Sequence, residues 1–394
     1  MPGPLAGIRV VDFSAVVSGP LATMMLADQG ADVVKIEPPG YGDIMRTGVY
    51  RRGGLAAFYL NCNRSKRGIV LDLQQEAGRE VARELVRGAD VFVQNWRPGA
   101  AERLGLGWED LRAINPRLVY CSVTGYGPDG PYAQRRVYDP IIQGLTGHVA
   151  IQESPDVPIP DLVRNIVADK SSAYTAAQAI TAALFARERG AGGQQIEVPM
   201  IDASLAFFWP DGMMKHTLKG GGIVEGPALY DVYRLWETAD GRIIWFATSD
   251  SEYFGLFRAL GHPEWCEDER FSTMKARTKN GTELGAELLK AIATFPTREL
   301  HQRMLEEDVP AGAVLSIEEV LEDEQLRHNE AIVDVDHPVA GPMRMARPAA
   351  RFHGTPQEPS RLAPELGEHT EEVLAELGYD PARIEALRSE GVIP

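Results

Sequence analysis

The protein has 394 residues, of which 44% are hydrophobic and 24% are charged, a composition typical of a soluble globular chain with a sizeable core. Its formal net charge of −16 argues against a nucleic-acid backbone as a partner. The length favours two domains.

Cysteine and histidine patterns give no sign of a metal site. Cys62, Cys121 and Cys266 form no CxxC pair, and the eight histidines are scattered. The N-terminal residues lack the pattern of a signal peptide, and no stretch approaches the roughly 18 apolar residues of a membrane span. We therefore expect a reduced, cytoplasmic protein that binds neither metal nor membrane.

The first third of the chain alternates strand and helix patterns. Helical spacing is found at Gly19–Gln29 and Gln75–Arg87. Strands separated by helices predict a parallel sheet of the Rossmann-like type. The predicted strands are Ile8–Phe13, Asp32–Ile36, Ile69–Leu73, Asp90–Gln94 and Leu118–Thr124.

The chain then changes character at a glycine-rich stretch, residues 219–222. Before it, we expect a long Ala-rich helix, a strand and another helix, at Lys170–Arg189, Gln195–Val198 and Ile201–Leu218. After it, we expect a β-hairpin and three helices, at Tyr233–Thr238 with Arg242–Thr248, and at Ser251–Leu260, Glu283–Phe295 and Arg298–Glu306.

These patterns predict an α/β protein in three stretches. Residues 1–220 form a large Rossmann-like part, and residues 225–320 form a smaller α+β domain. Residues 330–394 contain short strands and a final pair of charged helices.

Dinucleotide binding is the first function to test, because a chain that begins with alternating strands and helices is typical of dinucleotide-binding folds. The turn after the first strand, residues 14–20, holds one glycine rather than GxGxxG. The only GxGxxG match, Gly125–Gly130, contains Pro128 and precedes Pro131, which predicts a turn and not a helix start. Nicotinamide chemistry therefore loses its main support.

In combination, the motifs along the chain resemble the family III CoA transferases, a family that includes formyl-CoA transferase and the carnitine and bile-acid CoA transferases. The resemblance covers nearly the whole chain. Its motifs are PLAGIRVVDF at 4–13, Gly19-Pro20, LADQGADVVKIE at 26–37, Gly42-Asp43, NRSKRGIVLDL at 63–73, VQNWRPG at 93–99, RLG at 103–105, GYGPDGP at 125–131, Tyr138-Asp139, GAGGQ at 190–194 and GEHTE at 367–371.

The resemblance implies an architecture beyond what the patterns give. The large domain would be built from both termini, with residues 330–394 returning to it, and the smaller domain would be inserted. Two ring-like subunits would interlock as a homodimer. Coenzyme A and acyl-CoA would be substrates rather than tightly bound cofactors, and a carboxylic acid would accept the CoA.

The resemblance also implies a CoA site. Coenzyme A needs cations for its phosphates and an apolar platform for its adenine. The nucleotide end would be held by Asn95, Trp96, Arg97 and Arg103, with Leu71 and Leu73 near the adenine, and Arg136, Val137 and Tyr138 lining the path to the thioester. From residue types alone, Arg97 and Arg103 are better explained as surface charges, and Trp96 as a core residue.

Two positions depart from the family pattern. Several transferases have a glutamine that touches the acyl group where this chain has Val17, which is followed by Ser18; we include both in the predicted site. After Ile36-Glu37, some members have a basic residue where this chain has Pro38.

Asp169, in the segment NIVADKSS at 165–172, occupies the position of the family's nucleophile. An ionised carboxylate can attack a thioester and exchange CoA through covalent intermediates without ATP. A helix N-terminus would favour that ionised form. By residue type alone, a helix N-cap is the better explanation of Asp169, and only the family resemblance reverses that preference.

Two alternatives remain at this level. The α-methylacyl-CoA racemases share the fold and CoA site, but they need a His-Asp pair where this chain has Tyr138-Asp139. Tyrosine is a poor general base near neutral pH because its unperturbed pKa is about 10. A non-catalytic homologue that only binds CoA esters is the other alternative.

Overall fold

The computed structural model describes residues 3–153, 159–356 and 361–394. Two compact units are present, one formed by residues 1–230 with 330–394 and the other by residues 231–329. In the described ranges, no helix has the length and apolarity needed to cross a membrane.

The described residues of the first unit form ten strands and most of the helices. Its strands are β1 Arg9–Asp12, β2 Asp32–Glu37, β3 Arg51–Arg52, β4 Leu55–Ala56, β5 Lys66–Val70, β6 Val91–Gln94, β7 Val119–Thr124, β8 Gln194–Pro199, and, after the second unit, β12 Ile332–His337 and β13 Gly341–Ala346. Its helices are α1 Ser18–Asp28, α2 Ala57–Asn63, α3 Glu76–Arg87, α4 Ala100–Arg103, α5 Trp108–Ile114, α6 Asp139–Leu145, α7 Val167–Ala186, α8 Met200–Gly212, α9 Met214–Thr217, α17 Thr370–Glu376 and α18 Pro381–Ser389, with α10 Leu229–Val232 at the boundary.

A six-stranded, all-parallel sheet lies at the centre of this unit, in the order β5-β2-β1-β6-β7-β8. The sheet is buried on both faces, as parallel sheets require, and two apolar clusters cover those faces. The chain runs from β1 outward to β2 and β5, then returns to the other side of β1 with β6. The point between β1 and β6 is therefore a topological switch point, where open α/β sheets form ligand crevices at the carboxyl ends of their strands.

The expected mixed α/β fold with a parallel sheet is confirmed, and most elements differ from their predicted bounds by a few residues. The helix predicted at Ile201–Leu218 ends earlier, at Gly212. Among the strands of the sheet, β5 is displaced most, predicted at Ile69–Leu73 and found at Lys66–Val70. Lys66 and Arg67 are buried in this strand because carboxylates pair with them. Charged residues at the start of a strand interrupt the apolar run by which a strand is recognised in the sequence.

The chain's last residues pack on the β5 edge of the sheet. The Nδ1 atom of His369 accepts a hydrogen bond from the backbone N–H of Gly68, and Oγ1 of Thr370 accepts one from Val70. Val392 and Ile393 are buried in the same apolar cluster as β1 and β6 side chains. The segment thus contributes to the core beside the N-terminal strands.

The second unit is a small antiparallel sheet with helices around an aromatic core. Its strands are β9 Trp236–Glu237, β10 Arg242–Trp245 and β11 Ala311–Ala313, in the order β11-β10-β9. Its helices are α11 Asp250–Ala259, α12 Met274–Lys279, α13 Gly281–Ile292, α14 Thr297–Glu306, α15 Ile317–Val320 and α16 Glu324–His328. The predicted hairpin is present but shorter, and the third strand has only small residues, which give no strand signal.

Candidate functional site

The predicted site residues of the first unit follow the carboxyl ends of four parallel strands. Val17 and Ser18 follow β1, Leu71 and Leu73 follow β5, Asn95 to Arg103 follow β6, and Arg136 to Tyr138 follow β7. Carboxyl ends of parallel strands meet at one edge of a sheet, and helices that return to a parallel strand begin at that edge. The start of α7, with Asp169, therefore belongs to the same edge.

The turn after β1 is joined directly to the loop after β6. The side-chain amide of Asn95 donates a hydrogen bond to the carbonyl oxygen of Ala15 at 2.7 Å and accepts one from the Ala15 N–H at 2.9 Å. Val17 and Ser18 are buried at the start of α1. The two loops at the switch point thus form one connected structure.

The loop after β6 offers one aromatic ring and two cations. Trp96 is partly buried and packs edge-on against Phe13, with ring centroids 5.5 Å apart. Arg97 and Arg103 are exposed, and no carboxylate of the described ranges pairs with either guanidinium. Both cations are therefore available to an anionic ligand in this chain.

The two leucines after β5 lie in different surroundings. Leu71 is fully buried within the apolar cluster that also contains Phe13. Leu73 is partly buried against that cluster. The Leu73 side chain therefore has exposed surface, whereas the Leu71 side chain has almost none.

The loop before α6 has two exposed side chains and one packed one. Arg136 and Tyr138 are exposed, and no acidic partner of Arg136 is found among the described residues. Val137 packs against Gly125, where an added Cβ would come within 2.3 Å of its Cγ1. Val137 therefore anchors the loop on which Arg136 and Tyr138 are displayed.

Helix α7 is capped from another element. Its N-cap residue, Ile166, provides no side-chain bond; instead, Oδ1 of Asp139 accepts hydrogen bonds from the N–H groups of Ala168 at 2.7 Å and Asp169 at 3.0 Å. Oδ2 of Asp139 accepts a bond from the amide of Gln143 at 2.6 Å. Asp139 is thus the residue that satisfies the first turn of α7, and Asp169 is not its N-cap.

Gln143 completes this attachment by holding the segment before α7. Its amide accepts a hydrogen bond from the Val163 N–H at 3.0 Å and donates one to the Val163 carbonyl at 3.1 Å. Gln143 and Asp139 are both buried. A cavity of about 310 Å³ lies beside them, lined mainly by Asp139, Pro140, Gln143 and residues 161–166.

The Asp169 carboxyl group is partly buried in the first turn of α7. In the part of the chain that the structure describes, no donor bonds its oxygens. Burial, and then the neighbouring charge of Asp139, raise the pKa of Asp169 to about 7. The expectation that the helix N-terminus favours the ionised form of this carboxyl does not hold for this chain, because burial and the charge of Asp139 disfavour that form.

A buried network of charges lies beneath the turn after β1. Asp12 and Lys66 are both fully buried and paired at 3.0 Å, and Lys35 pairs with Asp43 at 3.1 Å. Although burial opposes its ionisation, Lys66 and Lys35 lower the pKa of Asp12 to about 2. Burial lowers the pKa of Lys66 to about 8, against the attraction of Asp12.

The predicted site did not include Lys35, Asp43, Asp139 or Gln143, although Asp43 and Asp139 stand in family motifs. Lys35 carried a signal, since a lysine stands within the apolar strand of residues 32–37. Asp139 carried another, since an acid followed by Pro140 begins a helix. Neither signal reveals the partner, which comes from a distant part of the chain.

Other kinds of site receive no support from the geometry. Within residues 3–153, 159–356 and 361–394, no three His, Cys, Asp or Glu side chains are grouped to hold a metal ion. Cys62 and Cys121 are buried free thiols, and burial raises their pKa values to about 11 and about 12.

Known proteins resemble this chain over its whole length. Residues 5–370 match the family model described as CoA-transferase family III. The formyl-CoA:oxalate CoA-transferases of Escherichia coli O81 (strain ED1a) and Shigella sonnei (strain Ss046) are each 32% identical to it, with 100% of both chains covered.

Solved structures also resemble this chain over most of its length. A CaiB/BaiF family protein from Brucella suis superposes with a TM-score of 0.82 at 33% identity, covering 96% of this chain and 100% of its own. The Rv3272 protein from Mycobacterium tuberculosis, in an orthorhombic form, gives a TM-score of 0.82 at 31% identity, covering 93% and 98%. The chain belongs to CoA-transferase family III and is an enzyme of that family.

Proposed function

We propose that this enzyme transfers coenzyme A from an acyl-CoA thioester to a carboxylic acid, with Asp169 as the covalent nucleophile. The observation that carries the proposal is the state of that carboxyl group. It is partly buried, unbonded at its oxygens among the described residues, and fixed in place by its own backbone N–H to Asp139. A carboxylate without hydrogen-bond donors is a better nucleophile than a solvated one.

The chemistry proceeds in two symmetrical halves. The Asp169 carboxylate attacks the thioester carbon of the donor, the C–S bond breaks, and a mixed anhydride and CoA thiolate result. The thiolate attacks the Asp169 carbonyl of the anhydride, which releases the donor acid and leaves an aspartyl-CoA thioester. The acceptor carboxylate then attacks this thioester, and the thiolate, released again, attacks the acceptor carbonyl of the second anhydride. Acceptor-CoA leaves, Asp169 is regenerated, and no ATP is consumed.

The CoA molecule would occupy the crevice at the switch point. The exposed guanidinium groups of Arg97 and Arg103 would meet its phosphates, and Trp96 and Leu73 would border the adenine. Arg136 and Tyr138 would lie along the path toward Asp169, with Val137 holding their loop. Leu71, Val17 and Ser18 would support the crevice from buried positions.

Proton transfer, the chemistry of the racemases, finds less support. The Asp139 carboxylate already accepts hydrogen bonds from two backbone N–H groups and the Gln143 amide. An acid used in this way has no free oxygen directed at a substrate α-carbon. Asp139 instead acts on α7, which suits a site in which Asp169 alone does the covalent work.

The substrates can be found by direct assay. Formyl-CoA and oxalate are the first pair to test, because the relatives that are 32% identical to this chain are formyl-CoA:oxalate CoA-transferases. A panel of acyl-CoA donors should be combined with carboxylic acids, and new CoA esters detected by mass spectrometry. Acceptor-dependent CoA transfer is expected. Binding of CoA esters without turnover on any pair would favour a non-catalytic role.

The quaternary and domain organisation completes the proposal. We expect residues 1–220 and 330–394 to act as the CoA-binding domain, residues 225–320 as an inserted domain, and two subunits to interlock in a cytoplasmic homodimer. Light scattering at low micromolar concentration should give about twice the 43.2 kDa chain mass. A stable, active monomer would contradict the interlocked arrangement.

A further inference from the structure

The turn after β1 is held by side chains at every hydrogen-bonding backbone group from the Ser14 N–H to the Val16 N–H. Asp12 accepts from the Ser14 N–H at 2.9 Å, and Lys35 donates to the Ser14 carbonyl at 2.7 Å. Asn95 bonds both groups of Ala15, and Asp43 accepts from the Val16 N–H at 3.2 Å. Five consecutive backbone groups are thus satisfied by four side chains from different parts of the chain.

This attachment holds a conformation that the turn would not adopt unaided. Val16 has a φ of +70°, the left-handed region that a β-branched residue avoids. Such a backbone is strained and persists only where its surroundings over-determine it. Gly19 is needed as well, since a Cβ there would come within 2.2 Å of the Ser14 Cβ.

The four side chains differ in what they can touch. Asp12, Lys35 and Asp43 are at least 98% buried, so no ligand reaches them in this conformation. Asn95 is partly buried, but its amide oxygen and nitrogen are both bonded to Ala15. A ligand in the crevice would meet the turn that these residues shape, rather than the residues themselves.

We propose that Asn95, Asp43 and Lys35 are positioning residues for coenzyme A, which act by holding the turn of residues 14–17 in its strained shape at the switch point. This inference rests on the proposed CoA crevice. It changes the role expected of Asn95, from a direct contact with the nucleotide to a support for the turn. It also gives the buried Lys35–Asp43 pair a role other than stabilising the fold. Such a role is informative because buried ion pairs seldom add net stability.

Two variants separate positioning from direct contact. Asn95→Ala removes both bonds to Ala15, and Asp43→Asn removes the charge that faces Lys35 while changing a side chain that no ligand touches. Asp28→Asn is the matched control, because Asp28 is also a buried carboxylate in an ion pair, with Arg64, but lies at the far end of helix α1 from the turn. The probe is free coenzyme A, titrated by calorimetry, with amide hydrogen exchange followed in the peptide that contains residues 14–18.

We expect Asn95→Ala and Asp43→Asn each to weaken CoA binding about tenfold or more and to speed exchange in the turn. Their combination should cost less than the sum, since both act on the same turn. Asp28→Asn should bind CoA within about twofold of the original chain. If Asp43→Asn fails to fold, Asn95→Asp, which keeps only the acceptor for the Ala15 N–H, should show the same two effects and decides the matter.

Three results would overturn the inference. The first is unchanged CoA affinity in the two variants while the original chain binds CoA. The second is a loss in Asn95→Ala alone with unchanged turn exchange, which would indicate direct contact. The third is an equal loss in Asp28→Asn, which would indicate general destabilisation. An original chain that binds no CoA at all would refute the proposed crevice itself, a separate outcome.

Discussion

The backbone N–H of Asp169 donates a hydrogen bond to Oδ1 of Asp139, with nitrogen and oxygen 3.0 Å apart. One carboxylate therefore fixes the position of the residue that carries the other. The same closeness disfavours two negative charges, so the group that seats Asp169 also opposes its ionisation. This relationship has consequences for activity and for stability.

The ionisation of Asp169 should be visible without any substrate. Because burial and Asp139 raise its pKa to about 7, we expect this carboxyl to be mostly protonated near pH 5 and to act as the proposed nucleophile only as the pH rises through 7. Carbodiimide coupling with an amine reports the protonated form. Peptide mapping should show Asp169 labelling that falls with a midpoint near pH 7, and the rate of thioester cleavage should rise over the same range.

Asp139→Asn should move that midpoint to lower pH. The charge of Asp139 is the second cause of the shift, after burial, so the midpoint should fall only part of the way to an ordinary aspartate value. The charged and titratable groups that act near Asp169 and Asp139 also include Cys62, His148 and the adjacent Lys170. Asp161→Asn is the control, since Asp161 is exposed and paired with Arg164 on the same segment. An unmoved midpoint in Asp139→Asn would mean that the charge of Asp139 does not affect the pKa of Asp169.

Asp169→Asn should stabilise the protein at alkaline pH while abolishing transfer. The folded-state pKa of this acid lies above its unfolded value of 3.8, so the folded state binds more protons between those values. Stability from this group is present at low pH and is lost as pH rises through about 7. The asparagine variant should gain about 2–4 kcal/mol over the original at about pH 8 and almost nothing at about pH 4.

Urea unfolding at both pH values measures this difference, with Asp161→Asn again as the control. A variant that is less stable at pH 8 would mean that the Asp169 carboxylate has a stabilising partner. A stability gain that is equal at both pH values would mean that the effect does not come from ionisation.

Arg103→Ala should weaken CoA binding more than it slows chemistry. The guanidinium is exposed and unpaired among the described residues, and its proposed partner is a phosphate far from the reacting carbon. Loss of one charge-assisted bond should cost about 1.5–3 kcal/mol, which appears mainly as a raised KM for the CoA ester. Arg112→Ala is the control, because Arg112 is an exposed arginine of the neighbouring helix that pairs with Glu109. An unchanged KM in Arg103→Ala would remove this residue from the site.

The sequence predicts the sheet better than it predicts the supports of the site. Apolar runs identify β1, β2, β6 and β7 within one or two residues, because buried parallel strands are continuously hydrophobic. Strand β5 is displaced in the prediction because Lys66 and Arg67 look like loop residues until their partners are known.

Partners that are distant in sequence also explain why the start of α7, beside Asp169, was predicted too late. Helix α7 begins at Val167, three residues before its predicted start. It begins there because Asp139, which precedes Val167 by 28 residues in sequence, caps its first turn. A residue's identity indicates what it can bond, but only the fold selects the partner. The prediction that Asp169 is the nucleophile rests on family resemblance, whereas its raised pKa follows from burial and from Asp139.

Covalent catalysis by Asp169 is tested most directly by trapping the enzyme during turnover. The chain should be incubated with an accepted acyl-CoA, then treated with hydroxylamine or borohydride and digested. Asp169→Asn and Asp169→Ala serve as controls and should show neither adduct nor transfer. We predict a hydroxamate or a reduced side chain within residues 165–172, at Asp169. Acceptor-independent exchange of the substrate α-proton in deuterated water, with Asp169 unmodified and no CoA transfer to any acid, would contradict the account and favour racemase chemistry.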